Sequence, residues 1–133
     1  MEEVTILVET DVNLTEEEAK VKKALTNVFN SVSMQVKPVF NGGVLIGEAE
    51  GREALVKFRN LLRLDRIRDA ARRALLGGVR GGTIRFCLNK QVAFAGHISF
   101  CEELAESPLG PLKVTIECKN PILLVEWLTE RSA

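Results

Sequence analysis

The chain has 133 residues, the length of a single domain, and its 46% hydrophobic and 27% charged residues are an ordinary globular composition. That balance excludes wholesale disorder, and apolar runs of four to six residues are far shorter than the ~20 that span a bilayer. The acidic start Met1-Glu2-Glu3 lacks the basic and apolar parts of a signal peptide, so the three cysteines are expected as reduced thiols. We therefore expect one soluble, cytoplasmic domain over residues 1–133, with no membrane partner.

Eighteen basic and eighteen acidic residues cancel, but they are unevenly distributed. Residues 1–51 hold four basic and nine acidic residues, residues 52–90 eleven and three, and residues 91–133 three and six. Nine of the eleven cations in the middle segment are arginines, which suit phosphate because the guanidinium donates two parallel hydrogen bonds. Arginine is also common on the solvent-exposed side of long helices, where it needs no ligand. The overall neutrality of the chain argues against strong non-specific attraction of nucleic acid at long range.

A strand followed by a helix is predicted for the first thirty residues. Residues 4–10 are β-rich and partly alternating. Thr15 and Glu18 form a capping-box pattern, and glutamates in the first turn are stabilised by the positive end of the helix dipole. Apolar residues then recur at helical spacing, which predicts a helix over residues 16–29.

A hairpin and two helices are predicted next. Asn41-Gly42-Gly43 between two β-rich runs is a strand–turn–strand signal. Asp65 is expected to cap the second helix, which Gly77-Gly78 ends. In chain order these elements are strands 34–40 and 44–50, helix 51–63 and the helix after Asp65.

Three strands and a last helix complete the pattern. Prolines and a glycine mark a loop over residues 102–111, and Pro121 opens the final helix in its favoured first-turn position. The order β-α-β-β-α-α-β-β-β-α favours an α+β fold with a largely antiparallel sheet and helices packed on one face. The other face is expected to be solvated or buried against a second copy. These last elements are strands 83–88, 92–100 and 112–118 and helix 122–130.

Arginines recur along the two central helices at spacings of 7, 4, 3 and 7 residues. If the helices were collinear, these side chains would form one stripe opposite the apolar face. Such a stripe can track phosphates, or it can pair with acidic residues of the same fold such as Glu48, Glu50 or the glutamates of the first helix. The stripe consists of Arg52, Arg59, Arg63, Arg66 and Arg73, and Arg68 and Arg72 form a second pair four residues apart.

Residues 77–82 read Gly-Gly-Val-Arg-Gly-Gly, but they follow a helix and precede a strand, the reverse of a phosphate-binding loop. We interpret them as a helix cap and a flexible connector, on which Arg80 could still reach nucleic acid. The three cysteines and the single histidine, which are the soft metal ligands of the chain, contain no Cys-x-x-Cys pair. The sequence also shows no pattern of a nucleophile with a supporting base. We therefore expect no metal, no cofactor and no catalytic residue, and most phenylalanines of the strand region are expected in the core.

Three segments resemble a group of small, uncharacterised archaeal proteins that are described as predicted RNA-binding proteins. The resemblance extends over the whole chain, and its most specific motifs are Leu88-Asn89-Lys90-Gln91 and Ser107-Pro108-Leu109-Gly110-Pro111. It implies a fold like that of the ribosomal protein that holds 5S rRNA, or more loosely like a double-stranded-RNA-binding domain. It also implies RNA as a partner, and it carries over no catalytic residue. The matching segments are residues 58–63 with 66–72, 88–100 and 106–111.

The leading hypothesis is a non-enzymatic RNA-binding domain whose arginine-rich helical face contacts phosphates. The segment Asn89-Lys90-Gln91 could meet 2′-hydroxyls or phosphates, or it could be a polar turn that Asn89 caps. The alternative function is a homodimeric protein-interaction module, in which the arginines pair with acidic protein surfaces and the second sheet face forms the dimer seam. The residues expected to contact RNA are Arg59, Arg63, Arg66, Arg72, Arg73, Arg80, Asn89, Lys90 and Gln91.

Overall fold

Alternating apolar residues build a seven-stranded antiparallel sheet in the computed structural model, which describes residues 3–102 and 110–130. The spatial order is β2-β3-β1-β7-β5-β4, and the short β6 lies beside β5. The strands are β1 (Val4–Asn13), β2 (Ser33–Val39), β3 (Gly42–Glu50), β4 (Val79–Arg80), β5 (Thr83–Asn89), β6 (Phe100–Cys101) and β7 (Pro111–Cys118). The helices are α1 (Glu18–Val28), α2 (Val56–Leu64), α3 (Arg68–Gly77), α4 (Lys90–Phe94) and α5 (Pro121–Leu128).

The helices cover one face of the sheet. In β1, Val4, Ile6 and Val8 are buried, whereas the alternating residues Leu7 and Glu9 are exposed on the other side. The predicted α+β class, the antiparallel sheet and the one-sided helical layer are confirmed. No helix in residues 3–102 or 110–130 is long and apolar enough to cross a membrane.

Four phenylalanines pack together between the sheet and the helices. The ring of Phe58 on α2 stacks on that of Phe86 on β5, with centroids 5.5 Å apart, and the Phe29 ring lies 5.7 Å from that of Phe58. Phe100 of β6 meets the Phe86 ring at 5.8 Å. The core role expected for Phe86 and Phe100 is confirmed, whereas Phe94 is 39% exposed.

The predicted strand 92–100 is wrong over most of its length. Lys90–Phe94 form the short helix α4, and only Phe100 and Cys101 pair with β5. The Asn89 side chain accepts a hydrogen bond from the Val92 backbone N–H at 3.0 Å, which starts the helix. Gly96 at φ 87° then reverses the chain. This local cap outweighs the β propensity of the sequence. Residues 103–109 of the predicted loop lie outside the described residues, and β7 already begins at Pro111.

The predicted helix caps also differ from the structure. Helix α1 begins at Glu18 and makes no side-chain cap, so the Thr15–Glu18 capping box does not form. Asp65 ends α2 and does not cap α3, because its carboxylate accepts from the Ile98 N–H at 3.0 Å and lies 3.0 Å from His97 Nδ1. Asp65 therefore ties the α2–α3 turn to the chain that follows α4.

A buried ion pair joins three elements at one end of the sheet. The Lys90 side chain is only 4% exposed, and its Nζ donates to the Asp11 carbonyl at 2.6 Å and to both carboxylate oxygens of Glu16 at 3.1 and 3.2 Å. Glu16 in turn accepts from the Asn13 backbone N–H and side-chain amide, at 2.9 and 2.8 Å. Lys90 thus connects the start of α4 to the end of β1 and the approach to α1.

We expect Lys90→Met to lower the free energy of unfolding by about 3–5 kcal/mol, because it leaves the Glu16 carboxylate buried without its cation. Urea denaturation measures this loss. Adding Glu16→Gln to Lys90→Met should recover part of it, since the buried charge is then removed. The exposed Lys23→Met is the matched control and should stay within about 0.5 kcal/mol of the native protein. A native denaturation midpoint for Lys90→Met would contradict this role.

Candidate nucleic-acid interface

Helix α5 brings a tryptophan and two carboxylates against the arginines of α2 and α3. Asn120 starts the helix by accepting from the Leu123 N–H at 3.2 Å, and Pro121 occupies its first turn. Glu126 and Trp127 lie in the last turn, and Glu130 follows just after the helix end. The end of α5 therefore faces the predicted arginine stripe.

Arg59 on α2 is held at this end of α5 by three contacts. Its Nε donates to the Trp127 carbonyl at 2.9 Å, and its Nη2 donates to the Glu130 carboxylate. The guanidinium carbon also lies 5.0 Å from the centre of the Trp127 ring, and that of Arg52 lies 4.9 Å from it. Both distances fit a cation–π interaction. Only 17% of the Arg59 side chain is exposed, so its main contacts are internal.

Three further arginines approach the same two glutamates more loosely. Arg63 Nη2 lies 3.7 Å from the Glu130 carboxylate, and Arg68 Nη1 donates to the Glu130 carbonyl at 3.4 Å. Arg72 Nη2 lies 3.8 Å from Glu126. The Arg63 side chain is 30% exposed and that of Arg72 is 46% exposed, so these guanidinium groups are paired and still reach solvent. Surface pairs at such distances contribute little to stability.

Arg66 and Arg73 are exposed, and the side chain of neither makes a hydrogen bond or ion pair with the described residues. Arg66 lies in the turn between α2 and α3 at φ 56°, and Arg73 is in the middle of α3. We call the six arginines of α2, α3 and their connecting turn the arginine face: Arg59, Arg63, Arg66, Arg68, Arg72 and Arg73. Glu126 and Glu130 approach this face, and the segment itself carries Asp65 and Asp69, so the six guanidinium groups leave the net charge of the face positive.

Arg80 lies at the end of the sheet, in a hairpin. Strands β4 and β5 pair through Arg80 and Thr83, and Gly81 between them has φ 58°, which favours glycine. The predicted flexible connector is therefore a two-residue β-turn. The exposed Arg80 side chain folds back, and its Nη1 donates to the Val79 and Gly77 carbonyls at 2.7 and 3.2 Å.

The segment Asn89-Lys90-Gln91 is mostly occupied inside the fold. Asn89 caps α4, as the polar-turn interpretation predicts, and Lys90 is buried in its pair with Glu16. Gln91 is exposed, beside Phe94 and Lys20. The structure therefore gathers five of the nine predicted RNA-contacting residues on α2, α3 and their connecting turn. It places Arg80 in the β4–β5 hairpin, and Asn89, Lys90 and Gln91 at the start of α4.

Sequence reasoning missed the role of α5. The acidic partners considered for the arginines were Glu48, Glu50 and the first-helix glutamates, whereas the structure shows Glu126 and Glu130. The available signal was the acidic C-terminal block, which carries two glutamates four residues apart around a tryptophan. The pairing itself spans about half the chain, which local periodicity does not reveal.

The chain is similar to a known family over most of its length. The family model described as RNA binding matches residues 5–118. The UPF0201 protein of Sulfurisphaera tokodaii is 42% identical over 128 residues, which cover 96% of this chain and 88% of that protein. The UPF0201 protein of Pyrobaculum calidifontis is 42% identical over 123 residues, which cover 92% of this chain and 86% of that protein. A crystal structure of the UPF0201 protein from Methanococcus jannaschii superposes with a TM-score of 0.84 at 26% identity and covers 94% of this chain and 98% of that one.

We expect the Trp127 ring and the Arg59 guanidinium to be coupled by about 1–2 kcal/mol, since the arginine is largely desolvated. A double-mutant cycle of Arg59→Leu and Trp127→Leu, followed by urea denaturation, measures this coupling. The hydrogen bond to the Trp127 carbonyl cancels in the cycle because it survives Trp127→Leu. The same cycle with Arg66→Leu is the control and should be additive. Additivity in both cycles would contradict the cation–π contact.

Proposed function

This chain belongs to the family described as RNA binding, and we propose that it is a non-enzymatic, cytoplasmic domain that binds RNA phosphates with its arginine face. The observation that supports this proposal most directly is the surplus of cations on α2 and α3. Each guanidinium has five N–H donors, so an arginine that contacts one carboxylate keeps donors for a phosphate.

The exposed members of the arginine face are best suited to reach phosphate. Arg66 and Arg73 would contribute their whole guanidinium, and Arg63 and Arg72 their solvent-facing edge. Arg59 and Lys90 are left out of the proposed contacts, because Arg59 is 17% exposed and Lys90 4% exposed. Asn89 is left out because its side chain caps α4. Arg80 and Gln91 are accessible and could extend the contact surface.

The Glu126 and Glu130 carboxylates compete only weakly with a phosphate for these arginines. They lie 3.8 Å from Arg72 and 3.7 Å from Arg63, beyond hydrogen-bond distance, on an exposed surface. Exposed ion pairs of this kind contribute little to stability, so exchange of a carboxylate for a phosphate costs little.

The test is the double charge reversal Arg66→Glu/Arg73→Glu. The side chains of these residues are exposed and make no hydrogen bond or ion pair with the described residues, so the fold should be retained. We expect affinity for a single-stranded and a hairpin RNA oligonucleotide to fall by more than about tenfold at low salt. The slope of log K against log salt for the single strand should fall by about 1.4, because two contacts of ~0.7 each are lost. Fluorescence anisotropy at several salt concentrations measures both effects.

Lys20→Glu/Lys23→Glu on α1 is the matched control, since it makes the same charge change at exposed positions of another helix. We expect it to bind RNA nearly as well as the native protein. Native affinity in the arginine double variant would remove the arginine face from the proposal. Equal losses in both variants would mean that only the overall charge matters. If the native protein binds neither RNA at low salt, the RNA proposal is wrong.

A second candidate function, a homodimeric interaction module, is favoured by the charges of the open sheet face. Its β3–β1 side carries exposed acidic residues, and its β5–β4 side carries Arg85 and Arg80. A two-fold axis would place the acidic side of one copy against the basic side of the other, because each contact occurs twice in such a dimer. Leu7, 41% exposed on β1, lies within the acidic side, opposite Glu48. The acidic residues are Glu9, Asp11, Glu48 and Glu50.

Light scattering at micromolar concentration tests this second candidate. For this second candidate, the native protein should be a dimer and Leu7→Lys a monomer, because the variant places a cation against the basic side of the other copy. Leu14→Lys, at a 75% exposed position beyond the end of β1, is the control and should remain dimeric. A monomeric native protein would rule out the dimer.

A further inference from the structure

The shortest strand pairing places two of the three cysteines opposite each other. Strand β6 pairs antiparallel with β5, so that Cys87 is the direct partner of Cys101 and Leu88 that of Phe100. Both cysteines are thiols in this structure, and both are half-buried. The pairing is independent of the arginine face and of the proposed RNA contacts.

The hydrogen-bond pattern of this pairing fixes the separation of the two cysteines. The Asn89 N–H donates to the Ser99 carbonyl at 2.8 Å, so residues 89 and 99 form a hydrogen-bonded pair. Such pairs alternate along an antiparallel ladder, which makes Cys87 and Cys101 the next one. Their Cα atoms are then about 5.5 Å apart, inside the range of about 4.4–6.8 Å that disulfides require.

Both side chains also project to the same side. Phe86 and Leu88 are buried under the helices, so Cys87 between them points to the open face, and its cross-strand partner Cys101 points the same way. The two residues line one cleft of about 800 Å³, together with Arg85, Glu102 and Lys113. A cleft of this size admits a small disulfide reagent.

The third cysteine is excluded from this chemistry by its position. Cys118 is 8% exposed, on the helix-covered face of β7. Cys87 lies opposite Lys113 on β7, five residues from Cys118, which is about 16 Å along the strand. Cys87 and Cys101 are therefore the one cysteine pair within bonding distance in the described parts of the chain.

We propose that Cys87 and Cys101 are a thiol pair that a low-molecular-weight disulfide oxidises to a reversible cross-strand disulfide. The thiolate of one cysteine attacks a sulfur of the reagent, forms a mixed disulfide and releases one thiolate. The second cysteine then attacks the protein sulfur of that mixed disulfide and releases the other half of the reagent. Two protein thiols become one disulfide, and the reagent is reduced to two thiols, so atoms and electrons balance.

The position of β6 makes closure of this bond feasible. Side chains directly opposite in a ladder have Cβ atoms about 4.5–5.5 Å apart, and a hydrogen-bonded pair such as Cys87 and Cys101 lies at the wide end of this range. A disulfide holds them at about 3.5–4.5 Å, so closure requires a movement of roughly 1 Å. The two-residue β6 pairs with β5 alone, off the main strand path, so it can move inward without disturbing another strand. Burial raises the pKa of the Cys101 thiol, so oxidation is expected to accelerate from pH 7 to 9 as more thiolate forms.

Incubation of the full chain with oxidised glutathione tests the proposal. We expect the intact mass to fall by the mass of two hydrogens, and peptide mapping to find Cys87 joined to Cys101. The melting temperature should rise by roughly 5–10 °C and return to its starting value with dithiothreitol, because the bond restrains the unfolded chain. An unchanged mass, or a glutathione adduct that persists on either cysteine, would overturn the proposal.

Cys118→Ser is the matched control, and it should still lose two hydrogens and gain thermal stability. Cys101→Ser should instead retain one glutathione on Cys87, because no second thiol resolves the mixed disulfide. Loss of the intramolecular bond in Cys118→Ser, or its formation in Cys101→Ser, would assign the bond to a different pair. The mass readout does not depend on the stability of these variants.

Discussion

The architecture depends on burial of one face of an antiparallel sheet. Side chains alternate between the two faces of a strand. The apolar residues of β1, β7 and β5 that face the helices therefore determine which face each remaining residue occupies. Glu9, Lys113, Arg85 and Cys87 are on the open face for this reason. A register slip of one residue would move all of them into the core, so the hydrophobic pattern is what specifies the register. The charges of the open face and the pairing of Cys87 with Cys101 are thus consequences of core formation.

The arginine face follows from the same requirement in the helical layer. Helices α2 and α3 bury Phe58, Leu62, Ala71 and Leu75, so their polar residues face solvent or a neighbouring helix. Helix α5 packs beside them, and its carboxylates balance only part of the charge. The result is a partly neutralised surface, which differs from the bare stripe that the spacing alone predicts. It is better suited to specific contacts at short range than to attraction at long range.

Local patterns predicted the fold class and most elements, because alternation and helical spacing are properties of short segments. These patterns failed where one side chain determines the backbone conformation. Asn89 is such a residue, because its cap starts a helix in a β-rich stretch. They also failed where a contact joins distant residues. Lys90 and Glu16 are 74 residues apart, and Arg59 and Glu130 are 71 apart, so neither pair leaves a periodic trace. For that reason the arginines of the candidate site were predicted and their α5 partners were not.

The two most specific motifs of the family resemblance contain none of the arginines proposed to bind RNA. In Leu88-Asn89-Lys90-Gln91, the leucine is in the core, the asparagine caps α4 and the lysine holds the end of β1. These structural roles explain why three of the four residues are present without invoking a bound ligand. We therefore interpret this motif as one that the fold requires. Phosphate contact instead requires exposed cations, and α2 and α3 provide them at several neighbouring positions. Many arrangements of arginine on these helices could satisfy phosphate binding, whereas the buried lysine has a single geometry.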